Sequence, residues 1–188
     1  MAKLYFRHGA VDSAKTLNLL AVAHNYRKQG KRVLVLKPAL DDRFGQDKVV
    51  SRAGLEMEAD YLVEPGKPPP GELFRGSQCI LVDEAQFLEE ATVERLRWVS
   101  IHHGIPVICY GLRTDFQTKL FPGSKRLMEL ADSIEEIKVT CLYCNKKAIF
   151  NLRSIDGVAV TEGPQVLLGA EDVYSPVCGE HYYASVAQ

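Results

Sequence analysis

Apolar residues in the first two-thirds of the chain come in short runs separated by stretches with helical spacing. Leu4-Tyr5-Phe6 is an apolar strand that leads into a tight, polar loop. After the loop, Leu17, Leu20, Ala21, His24 and Asn25 recur near helical spacing, and Gly30 stops the helix. Val33-Leu34-Val35-Leu36 is a continuous apolar run, the mark of a strand buried on both faces of a parallel sheet. The pattern continues with a short strand at Tyr61-Leu62-Val63 and a proline-rich surface loop from Pro65 to Gly71. A buried strand follows at Cys79-Ile80-Leu81-Val82. Glu89 to His102 is an amphipathic helix with Val93, Leu96 and Val99 on its apolar side. Ile105 to Tyr110 is a further strand, with Pro106 marking it as an edge strand or as a strand at its first residue. One more helix is expected around Leu127 to Ile137. Strands alternating with helices predict an α/β fold with a mostly parallel sheet and helices on both faces.

The pattern then changes. From Cys141 onward the segments are short and turn-rich, and Ile155-Asp156-Gly157-Val158 has the form of a hairpin tip. The division falls into residues 1–138, an α/β domain, and residues 139–188, a small second domain. A unit of this size buries too little surface to hold itself together, so a staple is expected.

Composition adds boundaries. With 46% hydrophobic and 25% charged residues, the 188-residue chain has the make-up of a globular protein with a proper core. A net charge of −1 and the absence of a basic run point away from nucleic acid and anionic membrane as partners. The first residues form a strand rather than a signal peptide, and no apolar run is long enough for a bilayer, so a cytoplasmic location is expected. Of the five cysteines, Cys79 and Cys109 sit inside apolar runs and are expected to be buried core residues.

Three motifs carry candidate chemistry. Gly9-Ala10-Val11-Asp12-Ser13-Ala14-Lys15-Thr16 nearly fits G-x-x-x-x-G-K-[ST], with alanine in the place of the second glycine. In such a loop, backbone N–H groups and the positive end of the next helix face phosphate oxygens. Lys15 adds charge near the β- and γ-phosphates, and Thr16 holds Mg²⁺. Ala14 suits the loop if its φ is negative, and not otherwise. The second motif is Asp83-Glu84-Ala85-Gln86 at the end of an apolar strand. Asp83 is placed to reach Mg²⁺ and Glu84 is left free to act on a nucleophile. The third pairs Cys141-Leu142-Tyr143-Cys144 with Cys178-Gly179-Glu180-His181. Cys141, Cys144, Cys178 and His181 form a Cys₃His set with no open position, expected to bind structural Zn²⁺ and to supply the staple.

Taken in this order, the motifs make the chain resemble the zinc-containing thymidine kinases of the cellular and bacterial type. The carriers run from the phosphate loop through Asp41-Asp42-Arg43-Phe44-Gly45 and Asp83-Glu84-Ala85-Gln86-Phe87 to Gly111-Leu112-Arg113-Thr114-Asp115-Phe116-Gln117. Phe121-Pro122-Gly123-Ser124, both zinc knuckles and Gly169 to Tyr174 complete them. The resemblance implies a RecA-like P-loop fold with a zinc-stapled lasso domain. It also implies transfer of the γ-phosphoryl of ATP to the 5′-hydroxyl of thymidine, with deoxyuridine as a second substrate. Glu84 is then the general base and Asp83 the Mg²⁺ carboxylate. Gly9 through Thr16 together with Asp83, Glu84, Ala85 and Gln86 bind the nucleotide, and Arg43 and Arg52 neutralise phosphate charge. Phe87, Leu112, Phe116 and Phe121 border the base. Gln165, Val166, Leu167, Leu168 and Gly169 close over thymine, and Tyr174 contacts the sugar or base. A homotetramer under feedback by dTTP is implied as well.

Ala14, Asp12 and Ala170 depart from the family pattern, and Asp12 sets a negative charge in a loop meant for phosphates. Two alternatives follow from the residues. One is a weakened or non-catalytic nucleotide binder. The other is a P-loop ATPase that contacts nucleic acid through its zinc knuckle, which the lack of a basic patch opposes.

Overall fold

The structure is a computed structural model that describes residues 1–41, 47–165 and 173–187. In chain order the strands are β1 (Leu4–His8), β2 (Val33–Pro38), β3 (Lys48–Val50), β4 (Glu56–Glu58), β5 (Tyr61–Val63) and β6 (Cys79–Val82). They continue as β7 (Val107–Gly111), β8 (Ser133–Glu136), β9 (Phe150–Ile155), β10 (Val158–Ala159) and β11 (Val173–Val177). The α-helices are α1 (Lys15–Lys28), α2 (Glu90–His102), α3 (Pro122–Leu130) and α4 (Gly179–Val186).

Six strands form one sheet in the order β5-β2-β6-β7-β1-β8, and every pairing in it is parallel. The period of two in the central strands sorts their side chains cleanly. Leu34, Leu36, Ile80, Val82, Leu4, Phe6, Val107 and Cys109 point to the face covered by Val93, Leu96 and Val99 of α2 and Leu127 of α3. Val33, Val35, Cys79, Leu81, Ile108 and Tyr110 point to the opposite face, covered by Leu19, Leu20 and Ala23 of α1. Helices therefore lie on both faces. Each fully buried Leu or Val on these faces is worth ~1.5–3 kcal/mol, so the two apolar layers hold the sheet flat against its helices.

Parallel strands point the same way, so the loops after β1, β6 and β7 emerge at one edge. Strand β7 lies between β1 and β6, and its Pro106 sits just ahead of the strand, so β7 is central rather than an edge. Helix α1 forms where its spacing predicts, but the buried face is Leu19, Leu20 and Ala23, while Ala21, His24 and Asn25 are exposed. The helix must present Thr16 to the sheet edge, and that fixes its rotation about one residue away from the stripe read in the sequence.

The helix expected from Leu127 to Ile137 is corrected. Helix α3 begins at Pro122, suited to a first helical turn, and ends at Leu130 with Ala131 already extended. Asp132 then diverts the chain. Its carboxylate accepts from the Leu4 N–H at 2.8 Å and pairs with Arg97, while its own N–H donates to the Leu4 carbonyl at 2.8 Å. The chain leaves that anchor as the edge strand β8, parallel to β1. A second hairpin, β3–β4, was not read from the sequence. It is held by the buried Lys37, whose ammonium donates to the Lys48 carbonyl at 2.8 Å and lies 3.5 Å from Asp41.

The last third forms a separate three-stranded antiparallel sheet, β10-β9-β11, packed with α4. The turn between β9 and β10 has positive φ at Asp156 and Gly157 (49° and 79°), the two-residue geometry that matches strand twist. Cys141, Leu152, Val177, Cys178 and Tyr182 make up its small core, so two of the candidate metal ligands are also core residues.

Candidate active site and metal centre

The phosphate loop leaves β1 through Gly9, which has no room for a side chain. A Cβ there would stand 2.3 Å from Ser13 Oγ and 2.5 Å from the Ile137 carbonyl. Two other loop residues hold left-handed backbone without being glycine: Asp12 at φ 62° and Ala14 at φ 59°. Ala14 therefore has the φ that the sequence reading named as unsuitable for alanine, and its Cβ costs about 1–2 kcal/mol of local strain. Asp12 does not stand free in the loop. Its carboxylate pairs with Arg52, which follows the β3–β4 hairpin's first strand. Arg52, expected to face phosphate, reaches the phosphate loop and meets a carboxylate there. Arg43 lies outside the described residues.

Lys15 donates from Nζ to the Ala10 carbonyl at 2.7 Å and lies 3.2 Å from Ser13 Oγ, folded back under its own loop. Burial draws its pKa down, against the pull of Glu84, Asp83 and Asp12. Thr16 Oγ1 donates to Asp83 at 3.1 and 3.3 Å to the two carboxylate oxygens. These are two hard oxygen donors of the kind a divalent cation takes in phosphate loops. Burial is the first cause that raises the Asp83 pKa, and the adjacent Glu84 charge is the second. A carboxylate in that state gains most from a cation. Glu84 itself is in left-handed backbone, φ 47°, and is only partly buried. Gln86 is fully buried and ties Glu84 in place. Its Nε2 donates to Glu84 Oε2 at 2.5 Å and its Oε1 accepts from the Leu112 N–H at 3.0 Å.

A cavity of about 440 Å³ opens over these groups. Val11 through Thr16, Val50 through Ala53, Glu84 and Leu112 are among its lining residues. Ala85 begins a short 3₁₀ turn that runs to Phe87 and is itself buried. Phe87 meets Phe121 edge to face, with ring centroids 5.7 Å apart. Phe116 is almost fully buried beneath the Arg153 guanidinium, 4.9 Å from its ring, and its carbonyl accepts from the Tyr182 hydroxyl at 2.5 Å. In this structure Phe116 is a joint between the two sheets. Gln165 donates to Asp115 Oδ2 at 2.8 Å, and Tyr174 pairs with Arg153 across β11 and β9. Val166, Leu167, Leu168, Gly169 and Ala170 lie outside the described residues.

The four candidate zinc ligands converge, with one ligand atom of each lying within 4.8 Å of the others. Cys144 Sγ is 3.8 Å from Cys178 Sγ, and His181 Nδ1 is 3.5 Å from Cys141 Sγ and 3.2 Å from Cys178 Sγ. A tetrahedral zinc site with ordinary Zn–S and Zn–N bonds has edges of about 3.6–3.8 Å. The donor set and its spacing fit a closed structural site. Burial raises the Cys141 thiol, yet N–H groups and neighbouring thiols outweigh it and bring it down to about 6, while the N–H of Tyr143 donates to its sulfur at 3.4 Å. A thiolate is what a zinc ligand must be.

One residue escaped the sequence reading. Asn151, on β9, reaches from the zinc-bearing sheet into the phosphate loop and accepts from the Val11 N–H at 2.8 Å. Its only local signal is a polar side chain at an inward position of an apolar strand, Ile149-Phe150-Asn151-Leu152.

A family model for thymidine kinase matches residues 2–182. The thymidine kinase of Lactococcus lactis subsp. lactis (strain IL1403) is 44% identical over 194 residues, covering 97% of this chain and 98% of its own length. That of Lactiplantibacillus plantarum (strain ATCC BAA-793 / NCIMB 8826 / WCFS1) is 45% identical over 185 residues, covering 97% and 96%. That of Streptococcus pyogenes serotype M1 is 43% identical over 185 residues, covering 97% and 98%.

Three outcomes are expected from this geometry. Folding raises the Asp83 pKa above its ordinary 3.8, so the ionised form costs stability at neutral pH, and the cost fades as pH falls through the raised value. Asp83→Asn keeps the hydroxyl contact and removes the charge. Without divalent cation it should melt higher than the parent at pH 8, by about 2–4 °C for each kcal/mol recovered, with the gain shrinking at pH 5. A lower melting temperature at pH 8 would contradict the burial argument. Ala14→Gly should relieve loop strain and tighten ATP binding roughly threefold to tenfold, since ~1 kcal/mol is about a factor of five. Titration with an ATP analogue checks it, and unchanged affinity would show that the strain is not felt at the site. About one equivalent of zinc should accompany each chain. Cys141→Ser should lose it, expose the tail to protease, and weaken thymidine binding more than ATP binding. Metal analysis with limited proteolysis reads both.

Proposed function

The chain belongs to the thymidine kinase family, and from that membership we propose how its residues divide the work. The reaction is phosphorylation of thymidine by ATP, with a divalent cation, in nucleoside salvage. The single observation that carries the residue assignment is the convergence of Lys15, Thr16, Asp83 and Glu84 at one sheet edge. Thr16 donates to Asp83, and Glu84 lines the same cavity as the phosphate loop.

In this reading Gly9 through Thr16 cradle the triphosphate with loop N–H groups and the start of α1. Lys15 leaves the Ala10 carbonyl to meet the β- and γ-phosphates. Thr16 and Asp83 hold the cation, assigned as Mg²⁺, which supplies neutralisation of phosphate charge. Glu84 accepts the proton of the 5′-hydroxyl, and Gln86 holds its carboxylate on line. Ala85 and Gln86 wall the nucleotide side. The thymine base is assigned to Phe87, Leu112, Phe116 and Phe121, with Tyr174 and the stretch Gln165 to Gly169 assigned to close over it. Phosphoryl transfer depends on position and charge more than on covalent chemistry, and two carboxylates with one lysine suffice for it.

The same reading divides the chain at residue 138 into a kinase domain and a lasso domain, 139–188, stapled by zinc on Cys141, Cys144, Cys178 and His181. It takes the working molecule as a cytoplasmic homotetramer held in check by dTTP. Among the described residues no helix is long and apolar enough to cross a membrane.

A nucleoside panel with labelled ATP tests the substrate, with label expected on thymidine and, more weakly, on deoxyuridine. Label on neither would overturn the reading. Glu84→Gln tests the base. It should lower kcat roughly 10²-fold or more while thymidine and ATP affinities stay within about threefold. Near-normal turnover would remove Glu84 from the proton transfer.

A further inference from the structure

The phosphate loop is held from outside itself. Its two left-handed, non-glycine residues, Asp12 and Ala14, leave it strained. Among the ties that hold it, one comes from the far end of the sequence. Asn151 is 3% exposed and lies 140 positions from its partner Val11. Its Oδ1 accepts from the Val11 N–H at 2.8 Å, and its Nδ2 donates to the Thr114 carbonyl at 2.8 Å. The orientation of the amide is fixed by its neighbours, since an N–H can only donate and a carbonyl can only accept.

One buried side chain thus pins three segments. Val11 belongs to the phosphate loop, whose next residue carries the Asp12–Arg52 pair. Thr114 lies between Leu112, which lines the nucleotide cavity, and Phe116, whose ring packs under Arg153. Asn151 itself is on β9, in register with Pro176 of β11, while Arg153 two residues along pairs with Tyr174. Strand β11 leads into the candidate zinc ligand Cys178. A nucleoside held beside Leu112 and Phe116 would bear on the Thr114 segment, which Asn151 joins to Val11 with no intermediate element.

We propose that Asn151 is a positioning residue that couples thymidine binding beside Leu112 and Phe116 to the conformation of the phosphate loop. The proposal rests on the thymidine kinase reading of the site. Linkage makes the coupling reciprocal: bound thymidine tightens ATP, and bound ATP tightens thymidine by the same factor. The side chain acts through the Val11 amide, which it fixes, and touches neither the phosphates nor the cation ligands.

The test uses the full chain with zinc bound. Binding of a non-hydrolysable ATP analogue is measured with and without saturating thymidine, beside the thymidine Kd alone. In the parent protein thymidine should tighten the analogue at least fivefold. Asn151→Leu keeps the number and branching of the side-chain heavy atoms and removes both hydrogen bonds. With zinc content retained and the thymidine Kd within about threefold, it should reduce the tightening to less than twofold. A parent-like ratio in that variant overturns the proposal, as does a parent protein with no tightening. If Asn151→Leu loses its zinc or does not fold, hydrogen exchange in the parent decides. Thymidine alone should slow exchange of the Val11 amide several-fold, and an unchanged rate overturns the coupling. A parent protein that binds no thymidine fells the functional reading itself, whereas thymidine binding without coupling fells only the role of Asn151.

Discussion

The arrangement turns on a charge that the fold buries at the end of a central strand. Asp83 directly follows β6, with the Thr16 hydroxyl, the Glu84 N–H, a lysine drawn under its loop and a second carboxylate around it. Desolvation makes its ionised form expensive, and Glu84 next to it makes it more so. Such a site is stable only because the apolar layers on both faces of the sheet hold it there. Leu34, Ile80, Val82 and Leu96 on one side and Leu19, Val35 and Leu81 on the other are all almost fully buried. The sheet gives up local stability at its edge, and on the proposed reading gains a position suited to a cation. The same trade is visible in the backbone. Asp12, Ala14 and Glu84 all hold left-handed conformations without being glycine, and all three line or border the same cavity. Of the five non-glycine residues with positive φ among the described residues, these three border the cavity, while Thr118 and Asp156 lie in turns elsewhere.

The sheet and the metal centre were legible in the sequence because their signals are local. A run such as Val33-Leu34-Val35-Leu36 is apolar at every position only if both faces are covered, and the structure covers both. The two knuckles announce their ligands through spacing alone, and the four ligand atoms do gather. Strand β8 was not legible. Ser133-Ile134-Glu135-Glu136 has the composition of an exposed helix, and what makes it a strand is Asp132 bonding to Leu4, 128 positions away. The rotation of α1 was hidden for a similar reason: the loop before it, not its own stripe, sets which residues face inward. The neutralisation of Asp12 by Arg52 depends on a hairpin, β3–β4, whose short strands carry one buried valine between them and so leave almost no apolar period to read.

Ties from outside the loop also give the two departures in it a common physical sense. A glycine at position 14 would adopt φ near 59° freely, and an uncharged residue at position 12 would need no partner. Alanine and aspartate instead make the loop depend on others. Arg52 must stay on Asp12, and Lys15 rests on the Ala10 carbonyl at 2.7 Å. The Asp12–Arg52 pair is solvent-accessible, with Arg52 68% exposed at its side chain, so it contributes little to stability on its own. Its effect is on charge. Under the proposed function, a triphosphate entering the cavity would meet an arginine already held over the loop, with the carboxylate that holds it neutralised in advance. Phosphate oxygens would then offer Arg52 a second set of acceptors, and Lys15 would exchange a carbonyl for an anion. Both exchanges favour binding, since charge-assisted hydrogen bonds are about twice as strong as neutral ones. On that reading the loop's own ties are the contacts that a phosphate ligand would replace.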